Sequence, residues 1–241
     1  MRAVVFAGPS LPPAVRPVDP RIAWRPPARR GDVYRAALER PDAIGLIDGY
    51  FDAVPSVWHK EILWAMDQGI RVYGAASIGA LRAVELADFG MIGVGHVYQA
   101  YRDGTLVDDD EVALLHGPEE TGYVQITEAM VNVRMTIEEA VRVGIVASHV
   151  GAVLMSVAKS LTYKRRTYCA VLGAAQRHGL QVPQLRNLDE WLQVGRVDRK
   201  REDALAMATA ITSYPTACPS CPAISFRLNH TAAWNHVCGR G

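Results

Sequence analysis

The sequence predicts an α/β protein: a mostly parallel, helix-covered, Rossmann-like sheet in the N-terminal half, followed by a helical C-terminal region. Three observations predict it. Short apolar runs alternate with helical patterns through Leu86, as βαβ units require. The run Ala43-Ile44-Gly45-Leu46-Ile47 is almost wholly apolar, as a strand buried on both faces must be. From Gln125 to about Ile211 the signal turns helical, with apolar residues three and four apart over Ile126–Gly144. The expected organisation is an α/β core over 1–125, helices over 126–212, and a mobile tail over 213–241.

The elements follow in order. Ala3-Val4-Val5-Phe6 reads as a strand ending in Gly8-Pro9-Ser10, and Leu11-Pro12-Pro13 forbids an immediate long helix. A proline- and arginine-rich stretch to residue 30 contains one short strand, Ile22-Ala23-Trp24. Asp32 is placed to cap a helix beginning at Val33. The strand at 43–47 ends in Asp48-Gly49, and a helix is expected from about Pro55 to Gln68, with Gly69 as its stop. Ile70 to Tyr73 is the next strand, and Gly74-Ala75-Ala76 turns it into a helix from about Ser77. A glycine-spaced segment, 89–95, leads to a helical run at 97–101; Val112–His116 is expected to be a strand. Further on, Thr136 is placed as a cap. Helices are expected within 146–175, from about Asn187, and after Arg199–Asp203.

Composition narrows the function. Net charge is +1, so the electrostatic footprint of a general nucleic-acid binder is missing. No apolar stretch reaches the roughly 18 residues that span a membrane, and the apolar run at the start is too short for a signal peptide. Four cysteines in a chain this long are no secreted disulfide framework. A cytoplasmic protein is expected, with neither nucleic acid nor membrane as partner.

In parallel sheets the working residues lie beyond the carboxyl ends of the strands. Three such ends carry polar, glycine-containing turns: Gly8-Pro9-Ser10, Asp48-Gly49-Tyr50 and Gly74-Ala75-Ala76-Ser77. They should share one edge. Ser77 then stands where free N–H groups and the positive end of a helix converge, either as a nucleophile or as an ordinary N-cap. Lys60, among Trp58, Trp64 and sheet residues, has the chemistry of a base for a serine hydroxyl. It equally has the wheel position of a surface lysine. His59 and His116 are alternative bases, with Asp48 or Asp52 to orient one of them. Oxyanion donors would be the N–H groups of Ile78 and Gly79, or of Gly8 or Gly49. Arg82 and Glu85, three apart, read as an ion pair or part of a docking surface. The run Asp108–Glu111 lacks calcium-loop spacing and reads as a solvated turn or a charge run at a helix start, and Lys164-Arg165-Arg166 as a solvated helix face or a contact for an acidic partner. No metal or cofactor is called for. Cys218, Cys221, His230, His236 and Cys238 are zinc-type donors whose spacing fits no established finger.

The runs Leu46-Ile47-Asp48-Gly49, Val57-Trp58-His59-Lys60-Glu61-Ile62-Leu63 and Val72–Leu86, with Phe89–Gly95, Tyr101–Gly104 and Asp109–Ala113, resemble the core domain of the TfuA-like family. The resemblance covers roughly residues 1 to 125. Where that family often has G-A-S-S-M-G, this chain has Ala76 and Ile78, leaving Ser77 as the available hydroxyl. The resemblance implies a partner of a YcaO enzyme in thioamide formation on a ribosomal peptide or protein. It implies hydrolysis of a thiocarboxylated ThiS-like sulfur carrier to supply sulfide, with Ser77 as nucleophile and Lys60 as base. The precursor peptide is then a further partner. The rival expectation is a non-catalytic adaptor of the YcaO enzyme.

Overall fold

The structure, a computed structural model, describes residues 1–50, 54–213, Leu228 and Trp234. Its strands are β1 (Ala3–Phe6), β2 (Ile22–Arg25), β3 (Ala43–Leu46), β4 (Arg71–Ala75) and β5 (Ile92–Val94). Its helices are α1 (Asp32–Leu38), α2 (His59–Asp67), α3 (Ile78–Leu86), α4 (His96–Arg102), α5 (Met130–Arg142), α6 (Ser148–Ser160), α7 (Tyr168–Arg177), α8 (Val182–Gly195) and α9 (Arg199–Ser213). Two compact units divide the chain: Met1–Leu106 with Arg201–Gly241, and Val107–Lys200. The compositional boundaries at 125 and 212 follow a different line, because they place the segment after Arg201 with the helices.

The first unit is built on a parallel sheet of order β2-β1-β3-β4-β5. Connections β2-α1-β3, β3-α2-β4 and β4-α3-β5 all advance in one direction across it. Right-handed crossovers therefore put α1, α2 and α3 on one face, and α2 borders both α1 and α3. Only the β1–β2 connection runs the other way, and it holds a single 3-10 turn, Pro13–Val15, because prolines crowd it. The second face is thus left without a crossover helix.

That face is closed by α9. Ala204, Met207, Ala208 and Ile211 pack on Val5, Ala43, Ile47, Tyr73 and Ala75, all from alternate positions on one side of the strands. Gly45 makes the close approach work: a Cβ there would stand 2.9 Å from both Ile211 Cδ1 and Met207 Cε. Burying a side chain the size of Met207 or Ile211 contributes about 1.5–3 kcal/mol. On the helix-covered face, a Cβ on Gly79 would lie 1.7 Å from the Leu46 carbonyl oxygen, so glycine alone lets α3 rest on β3.

The helical unit packs Met130, Val133, Ile137 and Ala140 of α5 against Val150, Leu154 and Ala158 of α6, with Tyr168, Leu188 and Leu192 beside them. Several expectations change here and in the sheet unit. Val112–His116 is not a strand: His116 makes an isolated bridge to Gln125, while the Val112 carbonyl accepts Lys200 Nζ and Leu115 N–H donates to Thr127 Oγ1. Side chains take the groups a ladder would need. Thr136 is not a cap but a buried residue inside α5, bonded to Tyr168. Gly31, at φ 89°, is the N-cap of α1, and Asp32 is its first residue. The glycine-spaced segment contains β5.

Candidate functional site

The sheet order reverses between β1 and β3, and the crevice beyond their carboxyl ends is where parallel sheets place ligands. Asp48 fills it. The Asp48 side chain is buried, and its Oδ2 accepts N–H bonds from Gly8 (2.9 Å) and Ser10 (3.0 Å), while Oδ1 accepts the Ser10 hydroxyl (2.7 Å). The Gly8 and Ser10 amides are therefore engaged by a carboxylate of the chain itself. Gly79 N–H is engaged too, donating to the Ile47 carbonyl at 3.3 Å. Of the expected donors, the Ile78 and Gly49 N–H groups have no partner among the described residues. These two residues touch: a Cβ on Gly49 would stand 2.8 Å from Ile78 Cγ2.

Ser77 follows β4 as the residue before α3, and it is 8% exposed. Ala76 bends the chain into it at φ 65°, the left-handed region that a non-glycine residue adopts only under strain. Ser77 N–H closes a tight turn to the Ala75 carbonyl at 2.7 Å. The hydroxyl caps nothing: no N–H of α3 donates to it, and it makes no hydrogen bond among the described residues. The strained apex of this strand–turn–helix is Ala76, one residue before the hydroxyl.

His59 and Lys60 leave α2 in different directions. His59 Nε2 meets Glu85 Oε2 of α3 at 2.8 Å, and Arg82 Nη1 meets the same oxygen at 2.6 Å. Arg82 Nε also donates to the Val57 carbonyl, tying α3 to the approach of α2. Burial acts to raise the Glu85 carboxyl, but hydrogen bonds from His59 and Arg82 outweigh it and hold the group below its ordinary value. The acid that orients His59 is thus Glu85, twenty-six residues away in sequence and absent from the expected set. Lys60 Nζ stands 5.8 Å from the centroid of the Trp234 ring, which packs edge-on against Tyr34 and beside Trp64. Glu61, next to Lys60, is fully buried and accepts backbone N–H bonds from Gly31, Tyr34 and Trp58.

His116 belongs to the helical unit, its Nδ1 2.7 Å from the Gly117 carbonyl. The acidic run opens a 3-10 turn, Asp109–Glu111, with Asp108 and Asp109 exposed and Glu111 buried. Asp108, Asp110 and Glu111 converge on Lys159 Nζ, at 3.0 Å from Asp108 and 2.9 Å from Glu111. Arg166 is fully buried with its guanidinium on Asp110 and the Ala158 and Leu161 carbonyls, so of the basic run only Lys164 and Arg165 can face outward. An open cavity of about 450 Å³ in this unit is lined by Asp110, Lys159, Leu161, Thr162, Tyr163 and Lys164. Asp52, Cys218, Cys221, His230, His236 and Cys238 lie outside the described residues.

A parallel α/β sheet with a buried serine at a strained strand–helix turn defines a Rossmann-like protein with its candidate site on the carboxyl edge. No curated protein matches the chain. A family model described as TfuA-like protein matches residues 48–167, and the chain belongs to the TfuA-like family. That family is associated with YcaO partnership in thioamidation. The match begins at Asp48, takes in Ser77 and Lys60, and ends just past Arg166. It therefore reaches 126–167, beyond the stretch quoted for the resemblance, and leaves 1–47 out. Among the described residues, no helix is long and apolar enough to cross a membrane.

Proposed function

We propose that the protein hydrolyses the thiocarboxylated C-terminus of a ThiS-like sulfur carrier, releasing sulfide for a YcaO enzyme that thioamidates a ribosomal peptide or protein. The observation that carries this reading is Ser77: a buried hydroxyl capping nothing, at a strained turn, next to the Ile78 amide, which like that of Gly49 is unengaged among the described residues. Ser77 Oγ attacks the thiocarboxylate carbon, and its proton passes to Lys60. The oxyanion is received by the N–H groups of Ile78 and Gly49. The C–S bond breaks, the proton leaves with sulfur, and water cleaves the resulting ester. The net reaction consumes one water and yields a carboxylate and hydrogen sulfide. No metal or cofactor is needed for these steps. Lys60 Nζ stands by the Trp234 ring, so this reading requires it to turn toward Ser77 when substrate binds, as catalytic hydrogen bonds commonly tighten only then.

The test is sulfide release from purified carrier thiocarboxylate without any YcaO enzyme. Wild type should release sulfide, Ser77→Ala should lose at least about 10³-fold, and Lys60→Ala should lower kcat more than it raises KM. Equal rates for Ser77→Ala and wild type would overturn the reading. A second reading, a non-catalytic adaptor of the YcaO enzyme, is favoured by one observation: the apex of the turn is Ala76, without a hydroxyl. An adaptor releases no sulfide alone, yet raises thioamide yield when YcaO is added.

A further inference from the structure

The carboxyl edge carries a second feature, built from the loop between β2 and α1. Ala28 N–H donates to the Asp48 carbonyl at 2.9 Å, Tyr50 N–H to the Ala28 carbonyl at 3.0 Å, and Arg30 N–H to the Pro55 carbonyl at 2.9 Å. The backbone carrying Arg29 and Arg30 is thereby fixed to the chain that follows β3. Both side chains are exposed, and both lie over aromatic rings: Arg30 Cζ is 4.6 Å from the Trp58 centroid and Arg29 Cζ 5.8 Å from that of Tyr50. Arg30 has no carboxylate partner among the described residues, and the nearest for Arg29, Asp32, is 3.7 Å away and also held by Arg35. A guanidinium resting on a ring keeps its N–H edge available, pre-set for two parallel bonds to a carboxylate. This rim adjoins the start of α3, because Gly49 lies between them: its missing Cβ would be 2.8 Å from both the Ala28 oxygen and Ile78 Cγ2.

We propose that Arg29 and Arg30 form an anion-reading rim that receives the carboxylate or thiocarboxylate end of an extended polypeptide and sets it beside Ser77. An acidic end group complements two guanidiniums of which one has no counter-ion among the described residues, and an extended chain suits an edge where the Gly49 and Ile78 amides are unengaged among those residues. The inference deepens the hydrolase reading and rests on it for the position of the reacting carbon. It does not rest on it for the binding.

Binding is measured by calorimetry on full-length Ser77→Ala protein, so that nothing turns over. The probes are an uncharged decapeptide ending in a free carboxylate and the same peptide ending in an amide. The carboxylate form should bind about tenfold more tightly, as one charge-assisted contact supplies. Arg30→Ala should remove most of that preference, Arg30→Glu should remove all of it, and both should leave the amide form unchanged. Added salt should narrow the gap. Equal binding of the two peptides, no binding of either, or a preference surviving the Arg29→Ala, Arg30→Ala double variant overturns the proposal. The two readings fail separately. End-group preference without Ser77-dependent sulfide release removes only the hydrolase. Sulfide release at unchanged KM in Arg30→Ala removes only the rim.

Discussion

The sheet unit and the helical unit bury their carboxylates differently. In the sheet unit, Asp48, Glu61 and Asp203 are closed over backbone amides: Gly8 and Ser10, then Gly31, Tyr34 and Trp58, then His96 and Val97. In the helical unit, Asp110 and Glu111 meet side-chain cations, Lys159, Arg134 and Arg166. Amides held by backbone neither titrate nor leave, so the first arrangement demands shape. The second demands charge, because removing one member strands another in a poorly solvated place. The difference teaches that each unit should fail under a different insult.

The most severe test is Arg166→Ala. It removes a fully buried guanidinium, leaving Asp110 with Lys159 alone and the Asp110, Ala158 and Leu161 carbonyls without their donor, and unfolding by urea should show a loss on the order of 3–5 kcal/mol. In the sheet unit, Glu61→Gln keeps the volume but turns an NH2 toward a backbone N–H in either orientation. A loss of about 1–3 kcal/mol is expected from the same measurement. If the two losses came out in reverse order, the contrast between charge and shape would be wrong.

Acid separates the units by sign. Burial acts to raise the Asp110 carboxyl, but bonds from Lys159 and Arg166 outweigh it and hold it below its ordinary value. Its contribution is complete above the ordinary value of about 3.9 and fades as pH falls through the lower folded value. Burial raises the Glu61 carboxyl despite three amide donors. That contribution is complete below the ordinary value of about 4.3 and fades as pH rises through the folded value. Amide exchange at pH about 3 and about 6 should show α6 losing protection in acid relative to α2. Equal protection at both values would sink the assignment.

The smallest effect expected is that of Ser77→Ala on stability, within about 0.5 kcal/mol, because its hydroxyl caps nothing. A loss near the roughly 1 kcal/mol of a true N-cap would make Ser77 a structural residue.

What could be read from the sequence was what local chemistry decides. The apolar run of β3, the Gly74-Ala75-Ala76-Ser77 turn and the shared edge follow from neighbours along the chain. β5 was hidden because Gly93 interrupts it, and only the structure shows why: the Tyr98 ring lies 2.2 Å from where a Cβ would be. The partnership of His59 with Glu85, the cap that Asp203 places on α4, and the cage around Lys159 join residues far apart in sequence. The guanidiniums beyond β2 had a signal, their place after a strand end, but they stand in a stretch whose prolines and arginines gave no periodic pattern to single them out.

The one-sided crossovers also impose a timetable. The ribosome has made all five strands of the sheet by Val94, but the helix that shields Val5, Ile47 and Tyr73 begins roughly a hundred residues later. At 5–20 residues per second the nascent sheet waits on the order of 10 s with a greasy surface bare. Over that interval the exposed apolar face is the part of the chain most prone to aggregate.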